Sequence, residues 1–163
     1  FVLGTGDLSE IALGWMTYNG DQMSMYGINS GVTKTLVQAL VNYHATHEFN
    51  IAKDVLESIL KAPISPELVK DQKTEDNVGK YEINDFILYH HLVKGADEDK
   101  VSWLLLHAFN MKETEAALYA KRFFDRFYQQ QFKRQPMPEG PKVIQISLSP
   151  RGELRLPSDL KRK

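Results

Sequence analysis

The opening stretch, FVLGTGDLSEIALGWMTYNGDQMSMYGINSGVTKT, constrains this chain more than any other part of it. Phe1, Val2 and Leu3 read as the end of a buried strand. Gly4 and Gly6 follow at once, and glycine permits the sharp turn and close backbone approach that a side chain would block. Asp7 or Ser9 can then cap a short helix whose first turn holds Glu10, because a side-chain oxygen there satisfies an N–H that the helix leaves open. A strand, a glycine turn and a helix N-terminus are the parts from which α/β proteins build a ligand crevice at the carboxyl end of a strand. The same letters also fit an ordinary strand-to-helix connection, so GTGD alone defines no ligand.

With 163 residues, 42% hydrophobic and 25% charged, the chain suits one globular domain with room for a core. No stretch reaches the roughly twenty apolar residues that span a bilayer, and no charged-then-apolar leader opens it, so no membrane partner is expected. Cysteine is absent, which rules out a disulfide framework and a thiolate metal site and is compatible with a cytoplasmic location. The net charge of −1 hides an asymmetry. Residues 1–120 carry nine Lys or Arg against seventeen Asp or Glu, and residues 121–163 carry eleven against four. The basic end is scattered among prolines with no stacking motif, so it reads as a solvated or packed tail and no nucleic-acid partner is expected.

Periodicity predicts mostly helices. Residues 19–32 read as a loop. Lys34 to about His47 follows, with Leu36, Leu40 and Tyr43 on one face and Val37 and Val41 beside them, then Ile51 to Leu60 with Val55, Leu56, Ile59 and Leu60 as its stripe. Residues 63–81 are polar, with two prolines, and read as a mobile surface loop. Glu82 to Val93 is the next helix. Asp97 can cap another, with Val101, Leu104, Leu105 and Ala108 inward. Glu113 to about Gln131 is the strongest, through Ala116, Ala120, Phe123, Phe124 and Phe127. Val143–Leu148 and Glu153–Leu156 read as short strands. His44 and His47 lie three apart, but no third metal ligand accompanies them at a suggestive spacing. His90 and His91 point apart, one toward the core and one toward solvent.

The blocks GTGDLSE, GWMTYNGDQMS and GINSGVTKT, continued by Phe132-Lys133-Arg134 and Gly140-Pro141-Lys142-Val143, resemble the synthetase domain of NAD synthetases, most closely the glutamine-dependent, two-domain members. The resemblance implies an α/β fold. The chain would be the C-terminal part of a Rossmann-like adenine nucleotide alpha hydrolase domain, itself mostly α-helical with one N-terminal strand and short C-terminal strands. Residues 1–134 would belong to that domain and 135–163 would form a basic, Pro/Gly-rich extension. The family's ATP pyrophosphatase loop, Ser-Gly-Gly-Xaa-Asp-Ser, does not occur here. The chain is therefore expected to be a fragment that makes no NAD alone.

The family adenylates the nicotinate carboxylate of deamido-NAD with ATP, and ammonia then displaces AMP. Adenylation gives a carboxylate the leaving group it lacks, and cations offset the phosphate charge. By resemblance, Thr5, Lys34 and Ser65 contact ATP, with Lys34 placed where helix N–H groups also favour anions. Glu10 contacts Mg²⁺ or deamido-NAD, and Trp15, Met16, Thr17, Tyr18, Asp21 and Lys133 contact deamido-NAD. Read from position alone, Glu10 is equally a helix-dipole carboxylate, and Trp15 and Met16 are equally core. Two departures stand out: Met25 replaces an acidic residue of the smaller, ammonia-dependent members, and Phe132 replaces their histidine. Implied partners are deamido-NAD, ATP, ammonia (from a glutaminase domain elsewhere in the parent), the upstream synthetase half and further copies in a homo-oligomer. The alternatives are a helical oligomerisation module, or another ATP pyrophosphatase amidotransferase of the GMP-synthetase kind.

Overall fold

The computed structural model describes residues 1–62 and 77–161. The chain opens with a parallel crossover. Strand β1 (Leu3–Gly4) leads through helix α1 (Leu8–Leu13) and a single 3₁₀ turn at Asp21–Met23 to strand β2 (Tyr26–Gly27). Leu3 pairs with Tyr26 and Gly4 with Gly27. The loop predicted over 19–32 thus contains a strand, because only two residues pair and no alternation can reveal so short a run. Phe1, Val2 and Leu3 are exposed rather than buried. Among the described residues β1 has β2 as its sole strand neighbour.

Helix α1 starts where the sequence places it, and its start is a reciprocal cap. The Glu10 N–H donates to Asp7 Oδ1 at 3.0 Å, and the Asp7 N–H donates to Glu10 Oε2 at 3.0 Å, so two otherwise open donors are satisfied. It ends at Gly14, whose φ of +57° is left-handed and whose Cβ position is filled by the Gln130 side chain. Glycine is the residue that meets both demands.

The helices that follow are α2 (Lys34–His47), α3 (Lys53–Lys61), α4 (Tyr81–Lys94), α5 (Glu98–Ala108), α6 (Glu113–Gln129) and the single turn α7 (Gln131–Arg134). Their bounds fall within a residue or two of the predicted ones, except that the last predicted helix breaks at Gln130 into α6 and α7. The core joins Leu8, Ile11 and Leu13 of α1 to Ile87 and Leu88 of α4, Val101 and Leu105 of α5, and Phe123, Phe124 and Phe127 of α6. Ala108, expected inward, is exposed. The stripes of α2 and α3 are only partly covered: Leu40, Tyr43, Val55 and Ile59 remain exposed among the described residues.

The predicted strands at Val143–Leu148 and Glu153–Leu156 are absent, since the segment carries no strand. Pro138, Pro141, Pro150 and Pro157 flank the two stretches and limit each to a few residues with N–H donors for a ladder. The segment is held instead by side chains and by close backbone approach. Gln131 and Gln135 both donate to Leu156 O, at 3.2 and 2.6 Å. Gly27 N donates to Glu139 O at 2.8 Å. Met137, Ile146 and Leu148 enter the common core.

That approach depends on two glycines. A Cβ on Gly31 would overlap Pro141 O, and one on Gly140 would overlap Gly27 O and Ser30 Oγ. The carbonyls are backbone atoms and cannot swing aside. Gly31→Ala and Gly140→Ala are each expected to lower stability by about 1–3 kcal/mol, the range for overpacking. Thermal melting checks this, with Gly152→Ala as control because its nearest neighbour atom stands 3.8 Å away.

Candidate functional site

Lys34 sits at the start of α2, and its ammonium reaches back to α1. Nζ lies 2.5 Å from Asp7 Oδ2 and 2.7 Å from Glu10 Oε1. Asp7 is almost wholly buried. Burial pushes its carboxyl above the ordinary aspartate value, with Lys34 pulling the other way. Burial and the neighbouring Asp7 likewise push Glu10 up, again against Lys34. For the lysine, burial alone would weaken proton binding, but the two carboxylates outweigh it and hold the ammonium above its usual value. The cluster carries two acids against one base.

The first turn of α2 has no free N–H for an anion. Lys34 N donates to Ser9 Oγ at 2.9 Å, Thr35 N to Asp85 Oδ2 at 3.1 Å, and Leu36 N to Thr33 Oγ1 at 3.4 Å. The expectation that these amides assist Lys34 in holding phosphate is therefore corrected: their donors are already engaged, and the side-chain ammonium is the group that can turn to an anion.

Tyr81 closes one side. Its ring lies 5.6 Å from Lys34 Nζ. Its hydroxyl is buried without a hydrogen-bond partner among the described residues. Burial, then the charges of Glu10, Asp7 and Asp85, push the phenol above its ordinary value, so it stays neutral. A buried hydroxyl without a partner costs about 1–3 kcal/mol. Tyr81→Phe is accordingly expected to leave stability unchanged or raise it by up to about 1 kcal/mol, measured by urea unfolding. A clear loss would show that the hydroxyl has a partner.

A second cluster forms at the other end of α1. Lys133 Nζ donates to Gly14 O at 2.8 Å and Met16 O at 2.9 Å. Gln22 Nε2 donates to Lys133 O at 3.0 Å, and Thr17 N donates to Asp21 Oδ2 at 2.9 Å. Burial, then Arg126, lower the Lys133 ammonium, offset by Asp21. Arg126 donates to Leu13 O at 2.7 Å and lies over the Trp15 ring at 5.1 Å. Tyr18 is exposed and meets Phe132 at a ring separation of 5.4 Å. Trp15 and Met16 are half-buried against the core and Thr17 is exposed.

Gly6 joins the two clusters. Asp21 Oδ1 and Glu10 Oε2 lie 3.7 and 3.8 Å from the point where its Cβ would stand, so both carboxylates flank the same turn. Thr5 is exposed on that turn, and its carbonyl accepts from Asn29 Nδ2 at 3.2 Å. Ser65 lies outside the described residues. The histidines form no metal site. His44 pairs with Glu48 at 2.7 Å, His47 faces Tyr43 O at 3.0 Å, and no cluster of three or more His, Cys, Asp or Glu that could hold a metal exists among the described residues. His90 and His91 are both half-buried rather than divided between core and surface. His91 is held between Ala96 O at 2.9 Å and Tyr128 Oη at 3.2 Å.

Sequence reasoning missed Asp85, Tyr81 and Arg134. The Asn84-Asp85 pair inside an apolar helical face was the one signal, since polar groups buried on such a face need partners.

A parallel strand pair, the helix crossing between its strands and a charged cluster at the carboxyl end of β1 define an α/β arrangement, with the cluster where such proteins bind ligands. The family model for NAD synthase matches residues 1–137, and the chain belongs to that family. A glutamine-dependent NAD(+) synthetase of Mycobacterium leprae (strain TN) is 43% identical over 98% of this chain and 28% of its own length. That of Mycobacterium tuberculosis (strain ATCC 25618 / H37Rv) is 41% identical over the same shares. An NH(3)-dependent NAD(+) synthetase of Sulfurisphaera tokodaii is 40% identical over 54% of this chain and 29% of its own length. The crystal structure of a glutamine-dependent NAD(+) synthetase from Cytophaga hutchinsonii has the same fold, with a TM-score of 0.74 over 96% of this chain and 24% of that one at 17% identity. The chain thus spans 28% of the length of the mycobacterial relatives. No helix among the described residues is long and apolar enough to cross a membrane.

Proposed function

We propose that this chain is the C-terminal part of a glutamine-dependent NAD synthetase, which adenylates the nicotinate carboxylate of deamido-NAD with ATP and amidates it with ammonia. The observation that carries this reading is the Asp7–Glu10–Lys34 cluster, with Asp21 across Gly6. It is short of positive charge, so a bare phosphate is repelled while a cation-bound nucleotide is accepted. Carboxylate oxygens are the hard donors that Mg²⁺ prefers. Glu10 is the residue that would hold the ion, which supplies charge neutralisation for the phosphates. Lys34 gives ATP phosphate a point charge, and exposed Thr5 offers it a hydroxyl. Ser65 belongs to this ATP set by resemblance alone.

Trp15, Met16, Thr17, Tyr18 and Asp21 form the deamido-NAD surface. Lys133 holds that surface in shape through Gly14 O and Met16 O and keeps its remaining capacity to donate for the dinucleotide. Residues 1–134 are the synthetase portion and 135–163 an extension, whose Met137, Ile146 and Leu148 pack into the common core. The upstream half, a glutaminase domain, homo-oligomeric assembly and a cytoplasmic location complete the reading.

The test has two arms. Whole protein is assayed for conversion of deamido-NAD to NAD with Mg-ATP and ammonia; this chain alone is expected to make none. Glu10→Ala is expected to lower kcat/KM for Mg-ATP roughly 100-fold, the scale for losing one charge-stabilising group. Calorimetry of Mg-ATP and deamido-NAD against a Glu10→Ala, Lys133→Ala double variant then locates the loss in binding. No conversion by whole protein overturns the reading.

A further inference from the structure

Asp85 stands on α4, 50 residues from Thr35 and 76 from Ser9, yet it binds both. Its Oδ1 accepts the Ser9 hydroxyl in a short hydrogen bond. Its Oδ2 accepts Thr35 N at 3.1 Å and Thr35 Oγ1 at 2.6 Å. Ser9 Oγ in turn accepts Lys34 N at 2.9 Å. The backbone on both sides of Lys34 is therefore tied to one carboxylate.

We propose that Asp85 is a positioning residue for Lys34, fixing the first turn of α2 so that the ammonium is aimed at the Asp7–Glu10 carboxylates and at the nucleotide phosphates they accompany. The role toward the nucleotide rests on the synthetase reading above. The aim of Lys34 does not.

Two physical arguments support the assignment. First, α2 is poorly secured by its own cap, because the bond from Leu36 N to Thr33 Oγ1 is long at 3.4 Å. The first turn of a helix carries the open donors and frays first, and here a carboxylate from another helix takes over that task. Second, a buried carboxylate is a poor means of gaining stability, since desolvation offsets what its bonds contribute. A side chain of similar volume without charge would pack as well. What the charge adds is direction: three donors converge on one rigid group, and Lys34 lies between two of them. A lysine has a long flexible stem, so its head is only as well placed as its backbone.

The experiment is residue-resolved acetylation of whole protein with a water-soluble acylating reagent, read peptide by peptide by mass spectrometry. The exposed Lys53 and Lys61 serve as internal references. Lys34 is expected to react slowly in the wild type. In Asp85→Asn its rate relative to the references is expected to rise roughly fivefold or more, as the first turn of α2 opens more easily. Thr35→Val, which removes one donor and keeps Asp85, is expected to raise it less, and Thr35→Ser, which restores the hydroxyl, to hold the wild-type rate.

A lower melting temperature with Lys34 still slow in both Asp85→Asn and Thr35→Val makes Asp85 merely structural and overturns the proposal. If Asp85→Asn does not fold, the Thr35 pair decides by the same criterion. Steady-state kinetics form the second readout: kcat/KM for Mg-ATP is expected to fall at least tenfold in Asp85→Asn while KM for ammonia is unchanged, the pattern of a misplaced phosphate contact. Wild-type protein that converts no deamido-NAD removes the synthetase reading, and the acetylation ratios still decide whether Asp85 aims Lys34.

Discussion

Replacing Arg134 with methionine is expected to lower stability by roughly 3–5 kcal/mol, a large fraction of the total stability of an ordinary domain. The side chain has no exposed surface. Its guanidinium donates to Ala12 O at 2.7 Å, Ile11 O at 3.3 Å and Gln131 Oε1 at 2.8 Å, and to Phe127 O in a short bond. It also lies 4.6 Å from the centre of the Phe127 ring. Burial lowers its proton affinity to about 10, so it remains charged at neutral pH. Among the described residues no carboxylate bonds to it. Three of the four acceptors are main-chain carbonyls from the last turns of α1 and α6, where C=O groups carry the negative end of each helix. Five donors in a fixed plane can serve all of them at once. Methionine fills much of the space but supplies no donor to Ala12 O, Phe127 O or Gln131 Oε1, and a buried acceptor left unpaired costs about 1–3 kcal/mol before relaxation. Arg134→Lys is expected to fall between the two, since one ammonium cannot span both helix ends. Urea unfolding of the three proteins checks the order, and an Arg134→Met midpoint equal to wild type would show that water or backbone movement satisfies the carbonyls.

Arg134 also shows where the sequence stops speaking. Helix positions were legible because Ala116, Ala120, Phe123, Phe124 and Phe127 repeat at helical intervals, and all five are buried. The cap of α1 was legible to within two candidates, Asp7 or Ser9 before a first turn holding Glu10, because capping is local; the structure uses Asp7. The α1 partners of Arg134, the partners of Asp85 and the approach of Tyr81 to Lys34 were not legible, because they lie in elements that meet only after the core forms. Asp85 and Lys34 are separated by the whole of α2, α3 and the segment before α4. Strand β2 was hidden by its brevity. The C-terminal strands were read at Val143–Leu148 and Glu153–Leu156 on either side of Ser149-Pro150-Arg151-Gly152, where two glutamine side chains instead hold the segment as a strap. Within the site, Glu10 and Lys34 come from separate blocks and are in contact, while Lys133 is turned to the backbone of Gly14 and Met16. No motif reading distinguishes those two outcomes, because both satisfy the same charge.

Lys34→Met is expected to lose both stability and turnover, and the stability loss should grow as pH rises from about 3 to neutrality. Burial already holds the Asp7 and Glu10 carboxyls above their ordinary values of 3.8 and 4.5, with Lys34 restraining the shift. Without the ammonium both rise further. In the folded variant each carboxyl keeps its proton to a higher pH than in the unfolded chain. From about pH 4 upward the unfolded chain therefore holds fewer protons than the folded one, and the variant's stability falls as pH rises through that window. Near pH 3 both states are protonated alike, and the difference from wild type is expected to be small. Near pH 7 it is expected to reach about 2–3 kcal/mol, less than for a fully buried pair because Lys34 keeps some exposure. Above the ordinary lysine value of 10.5 the wild type loses the advantage too, since an ammonium held above that value contributes fully below it and fades as pH passes its folded value. Denaturant midpoints measured across this range give the curve, and kcat/KM for Mg-ATP in whole protein is expected to drop roughly 100-fold at neutral pH. A stability loss largest near pH 3 would mean that Lys34 does not compensate Asp7 and Glu10. Unchanged turnover with the expected stability curve would mean that the ammonium serves the fold alone and the nucleotide phosphates are held elsewhere.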